Sequence, residues 1–65
     1  MEENLLYGDL VEVLGGFYKG KRGIVLRRIP LYQYEVEINC YDALGTPRKI
    51  TETFILEELK KIGGN

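Results

Sequence analysis

Histidine, serine and tryptophan are absent from this 65-residue chain, and cysteine occurs once. Without serine there is no serine triad, and without histidine no Cys–His nucleophile pair. A structural zinc site, which takes four Cys or His ligands in most cases, is excluded as well. The lone Cys40 cannot form an internal disulfide. It follows the alternating run Tyr34 to Asn39, where a small buried apolar residue is the expected role, and its isolation fits a reducing cytoplasm. Long apolar runs are also lacking, and Met1-Glu2-Glu3-Asn4 offers no basic region ahead of an apolar stretch. Neither a membrane span nor a secretory signal is expected, and the localisation implied is cytoplasmic. Carboxylate pairs remain as a catalytic option, but Glu35/Glu37 and Glu57/Glu58 read as solvated surface acids. No enzyme, metal site, cofactor or small-molecule substrate is expected.

What is present is a composition of 45% hydrophobic and 29% charged residues, that of a globular domain. A chain this short buries only about 60% of the surface its unfolded form exposes, so one core is the limit. Residues 1–65 are expected to form a single domain with frayed ends at 1–6 and 63–65. The run Gly8 to Leu14 sets Val11 and Val13 on one face before Gly15-Gly16 closes it. Gly23 to Arg28 is β-branched and apolar until two arginines appear, and Pro30 stops it. From Tyr32 to Cys40, Tyr34, Val36, Ile38 and Cys40 alternate with Gln33, Glu35, Glu37 and Asn39. A turn at Asp42 to Gly45 leads into Pro47 to Phe54, where Ile50 and Phe54 can share a face. Four short strands with glycine-rich turns favour a small barrel over an open sheet. Val11, Val13, Val25, Val36, Ile38 and Ile50 are its expected core. Ile55 to Ile62 has the spacing of an amphipathic helix, although eight residues are too few to stand alone.

The segment Gly8-Asp9-Leu10-Val11-Glu12-Val13, followed by Gly16-Phe17-Tyr18-Lys19-Gly20-Lys21-Arg22-Gly23-Ile24-Val25, resembles the KOW motif. KOW domains occur in NusG-type transcription elongation factors and in a large-subunit ribosomal protein. The resemblance implies an all-β fold, a small SH3-like barrel of four to five strands with one short helical turn before the last strand. Leu56-Glu57-Glu58 would be that turn and Leu59 to Ile62 the fifth strand. Thr46-Pro47 also looks like part of a NusG-type second hairpin, and Tyr18 falls where such domains carry a contact aromatic. Lys19, Gly20 and Lys21 look more like the ribosomal version. Read physically, Gly16, Gly20 and Gly23 stand where a reversing chain needs positive φ or a bulge. Gly8 opens the first strand of the motif, and Asp9 is expected to fix the adjoining turn by bonding backbone.

Residues 16 to 30 hold Lys19, Lys21, Arg22, Arg27 and Arg28 and no acid, a local charge of +5 inside a chain of net charge −1. Phe17 and Tyr18 lie in the same stretch, where an exposed ring can stack on a base or fill a partner's pocket. Phe17, Tyr18, Lys19, Lys21, Arg22, Arg27 and Arg28 are therefore the candidate contact residues. The first expectation is a monomeric module that docks on RNA or on a ribosome or RNA polymerase complex, positioned by phosphate contacts. A second is a protein-interaction module anchored by Phe17, Tyr18 and Leu44. In a third, the acidic remainder, including Glu35, Glu37 and Glu52, mimics nucleic acid in a partner's basic cleft, in the manner of an inhibitor from a mobile element.

Overall fold

The computed structural model of the protein describes residues 5–64. Each alternating run becomes a strand: β1 (Leu10–Val13), β2 (Arg22–Ile29), β3 (Gln33–Tyr41) and β4 (Pro47–Ile55). A 3₁₀ turn at Leu56–Glu58 then leads into β5 (Leu59–Gly63). The strands form one antiparallel sheet in the order β4-β3-β2-β1-β5. This order, with a helical turn ahead of the last strand, is the SH3-like arrangement. The helix that Ile55 to Ile62 would permit does not form. Leu59 instead aligns with Val13 and joins the core, and Glu58 caps the short turn by accepting the Ile55 N–H at 3.1 Å. No helix among the described residues is long and apolar enough to cross a membrane.

The core is the inner side of the curved sheet. Val11, Val13, Val25, Val36 and Ile38 are sealed from solvent, with Leu5, Tyr34, Phe54 and Leu59 around them. Ile50 is only half-buried and packs against this cluster from β4. The expected fraying does not extend through all of the segments assigned to it. Leu5 is in the core, the Leu6 N–H is held by Asp9, and Gly63 closes β5; residues 1–4 and Asn65 lie outside the described residues.

Two register irregularities shape the sheet. One falls between Leu10 and Val11 against β5, the other between Val25 and Arg27 against β3, where Leu26 is the extra residue. Such a bulge leaves one residue unpaired and reverses the facing of the residues beyond it. Gly23 and Val25 face the core opposite Ile38 and Val36, whereas Arg27 lies opposite Glu35 on the outer side and Arg28 opposite Tyr34.

Candidate nucleic-acid interface

The loop between β1 and β2 is closed by its own backbone. Gly20 N–H bonds the Val13 carbonyl at 2.7 Å, and Val13 N–H bonds that of Lys21 at 2.8 Å. Within that frame Lys19 N–H reaches the Gly16 carbonyl and Lys21 N–H that of Tyr18, making two consecutive tight turns. Gly16 and Gly20 take φ of +80° and +87°, a region that side chains resist, which explains glycine at these two positions. Gly23 does not share this reason. It has no positive φ, but a Cβ there would lie 2.5 Å from the Glu37 carbonyl oxygen and 2.7 Å from Val36 Cγ1. Its role is close strand packing.

Phe17 and Tyr18 occupy the middle of the first turn, so their rings diverge. Phe17 projects outward and is 92% exposed. Tyr18 folds back, half-buried, across the inner side of β4, with its ring edge-on to Phe54 at 6.3 Å and its hydroxyl donating to Glu52 Oε2 at 3.3 Å. Phe17 stands edge-on against Tyr18 at 4.8 Å. The three rings therefore step outward from the core, and Tyr18 supports Phe17. Burial of its ring, then the adjacent Glu52 charge and the bond to it, and Cys40 nearby, raise the Tyr18 phenol above its ordinary 10.0. The sequence carried one sign of this contact. Glu52 sits between Ile50 and Phe54 on the same face of its strand, the one acid in that alternation.

Among the described residues Lys19, Lys21, Arg22 and Arg28 form no ion pair. Lys19 and Lys21 are exposed beside Phe17, and Arg22 is exposed at the start of β2, cross-strand from Glu12. Arg27 differs, because its Nε lies 3.1 Å from Glu35 Oε1 and its charge is locally compensated. Strand alternation sets Arg27 and Arg28 on opposite sides of the sheet, and the Leu26 bulge decides which takes which, so the +5 segment does not make one surface. Phe17, Lys19, Lys21 and Arg22 belong to the loop and its exit into β2, while Arg27 and Arg28 lie farther along the strand. The acids of the mimicry reading are divided as well. Glu35 and Glu37 are on the outer side, and Glu52 is on the inner side with Tyr18.

Gly8 and Asp9 build the turn ahead of β1. Gly8 takes φ of +90°, and Asp9 N–H bonds the Leu6 carbonyl at 2.9 Å while its Oδ2 accepts the Leu6 N–H at 2.8 Å. The side chain is completely buried, with Lys61 Nζ 3.6 Å from Oδ2. This is backbone work of the kind the sequence suggested, and the Lys61 contact ties the turn to β5.

A second ordered feature is the β3–β4 turn. Asp42 Oδ1 accepts N–H bonds from Leu44 and Thr46, each at 2.9 Å, and Oδ2 lies 3.1 Å from Arg48 Nε. The Thr46 bond foremost, with those from Leu44, Arg48 and Gly45, holds the Asp42 carboxyl below its ordinary 3.8 against the opposing effect of desolvation. Leu44, 90% exposed, is carried at the apex. Neither turn encloses a pocket, and no group of three or more metal-ligating side chains is gathered among the described residues.

No protein-family model matches the chain, and no curated protein or solved structure matches it either.

Proposed function

We propose that the protein is a non-catalytic, KOW-type binding module that docks on single-stranded RNA, alone or within a ribosome or transcription complex, through the β1–β2 loop. The observation that carries this reading is the Phe17 ring, 92% exposed at the apex of a hydrogen-bonded turn, in a loop that also carries exposed Lys19 and Lys21 and leads into exposed Arg22, none of them in an ion pair among the described residues. A ring held this way offers a stacking face to any base, and cations around it hold the backbone without reading sequence. Assignment of the loop to a KOW motif rests on its residue pattern, and the SH3-like strand order supports it.

Binding of a short single-stranded RNA, followed by fluorescence anisotropy across a salt series, tests the reading. Three loop cations give a slope of log affinity on log salt near −2, using roughly 0.7 per phosphate contact. Phe17→Ala should cost about 1–3 kcal/mol and leave that slope unchanged, whereas Lys19→Ala with Lys21→Ala should flatten it. Leu44 at its braced apex favours a second reading, an apolar anchor for a protein pocket. If RNA does not bind, and Phe17→Ala or Leu44→Ala instead abolishes capture by a ribosomal or polymerase protein, that second reading replaces the first.

A further inference from the structure

β4 is an outer strand of the sheet, paired to β3 along one side only. Two independent features show which of its backbone groups face the open side. The Ile55 N–H is taken by the Glu58 side chain and not by β3. Pro47, which has no N–H to give, has the same parity as Ile55, and proline in a strand places its nitrogen on the unpaired side. Backbone direction alternates along an antiparallel strand, so Lys49, Thr51 and Thr53 also turn their N–H and C=O groups toward the open edge. The even-numbered residues Arg48, Ile50 and Glu52 share the inner face with Phe54. Arg48, Lys49, Thr51, Glu52 and Thr53 are all exposed.

We infer that this edge pairs with the β4 edge of a second copy of the chain, antiparallel about a two-fold axis at Ile50. The charges of the strand select that register. Residues opposed across an antiparallel pair point to the same face, so a two-fold normal to the sheet can fall at a residue but not between two. Centred on Lys49 it opposes two lysines, and centred on Glu52 it opposes two glutamates. Centred on Thr51 it sets Ile50 against Glu52. Only the Ile50 centre, among these, places Arg48 of each copy opposite Glu52 of the other, twice by symmetry, with the two Ile50 side chains together between them.

Backbone and side-chain chemistry agree on this register. Lys49 of one copy opposes Thr51 of the other, and both carry outward-turned backbone groups, so these are hydrogen-bonded pairs. Arg48–Glu52 and Ile50–Ile50 are then the non-hydrogen-bonded pairs, in which opposing side chains approach most closely. The existing contacts leave the necessary atoms free. Tyr18 engages Glu52 at Oε2 and leaves Oε1, while Asp42 engages Arg48 at Nε and leaves its terminal nitrogens. Pro47 ends the ladder on each side, so the assembly closes as a dimer at this edge. Such a dimer departs from the expected monomer and is independent of what the β1–β2 loop binds.

Sedimentation equilibrium of the full chain, taken to millimolar concentration at low salt, should show the average mass rising toward twice 7.5 kDa. Arg48→Glu or Glu52→Arg alone turns both opposed pairs into like charges and should weaken the dimer by about tenfold or more. An equimolar mixture of these two variants should restore it as a heterodimer, as should both changes in one chain. Isotope-filtered NOEs between the Ile50 residues of labelled and unlabelled chains should mark the axis, and an unchanged β-sheet circular dichroism spectrum controls for folding. A wild-type chain that stays monomeric at millimolar concentration overturns the inference. So does a dimer indifferent to either reversal, or a mixture of the two variants that does not recover.

Discussion

Phe17 and Tyr18 are neighbours in sequence with opposite tasks, and the turn that holds them separates those tasks. Loss of the 92% exposed Phe17 ring removes its edge-on contact with Tyr18 and little else, so it should cost no more than about 0.5–1.5 kcal/mol of stability in chemical denaturation. Tyr18 should instead be detectable by its titration. Its raised value means that the folded state prefers the neutral phenol, so its contribution to stability is complete below pH 10 and is lost as pH rises through the folded value. Absorbance titration of wild type against Tyr18→Phe isolates this group, and Glu52→Gln should bring its midpoint down. Gly23 makes the opposite kind of demand, for space and not for partners. The Glu37 carbonyl that a Cβ would meet is backbone and cannot swing aside, so Gly23→Ala should destabilise by about 1–3 kcal/mol in chemical denaturation.

Among the elements, the β3–β4 turn and β2 show how short segments fix the direction of exposed groups. Asp42 braces its turn most strongly while ionised, because the same carboxylate accepts from Leu44, Thr46 and Arg48. With its folded value depressed, its contribution is present above the ordinary 3.8 and is lost as pH falls through the lower folded value. The Leu44 and Thr46 amide resonances should therefore shift together in acid, below pH 3.8, ahead of any change in the strands. A separate shift of either amide, or a shift near neutrality, would refute this network. In β2, the Leu26 bulge swaps the faces of two adjacent arginines, turning Arg27 outward to Glu35 and setting Arg28 opposite Tyr34. Arg27–Glu35 is an exposed pair worth about 0–1 kcal/mol, so Arg27 can leave it at small cost, while Arg28 has no ion pair to leave among the described residues.

At the scale of the whole molecule, stability rests on few side chains. At about 0.05–0.15 kcal/mol per residue, a chain of this size has roughly 3–10 kcal/mol in total. Ile38 is fully buried at the centre of β3, and Ile38→Ala should cost about 2–5 kcal/mol. Urea denaturation should therefore show most of the transition displaced or gone, and an Ile38→Ala chain as stable as wild type would place the core elsewhere. The outer strands β4 and β5 are the two ends of the sheet order, and Tyr18 bonding Glu52 links the β1–β2 loop to β4. A loop offered for binding is thus also part of what orders the inner side of β4.

The amino-acid sequence by itself determined the strands and most of the core, because side chains in a strand alternate with a period of two and burial follows from that alternation. Tyr34, Val36 and Ile38 are legible on those grounds alone. It also determined which residues are charged and where glycine was needed, although not that Gly16 and Gly20 serve φ while Gly23 serves close packing. The last strand needed the KOW resemblance, since Ile55 to Ile62 fits a helix locally and only pairing with β1 favours a strand. Tertiary structure alone decided the grouping of the candidate contact residues. One extra residue at Leu26 reversed the facing of both arginines. A bond spanning thirty-four positions turned Tyr18 into a support and left Phe17 exposed. Local pattern sets what each residue prefers, but register and long-range contact set which residues meet, and neither is contained in a window of neighbours.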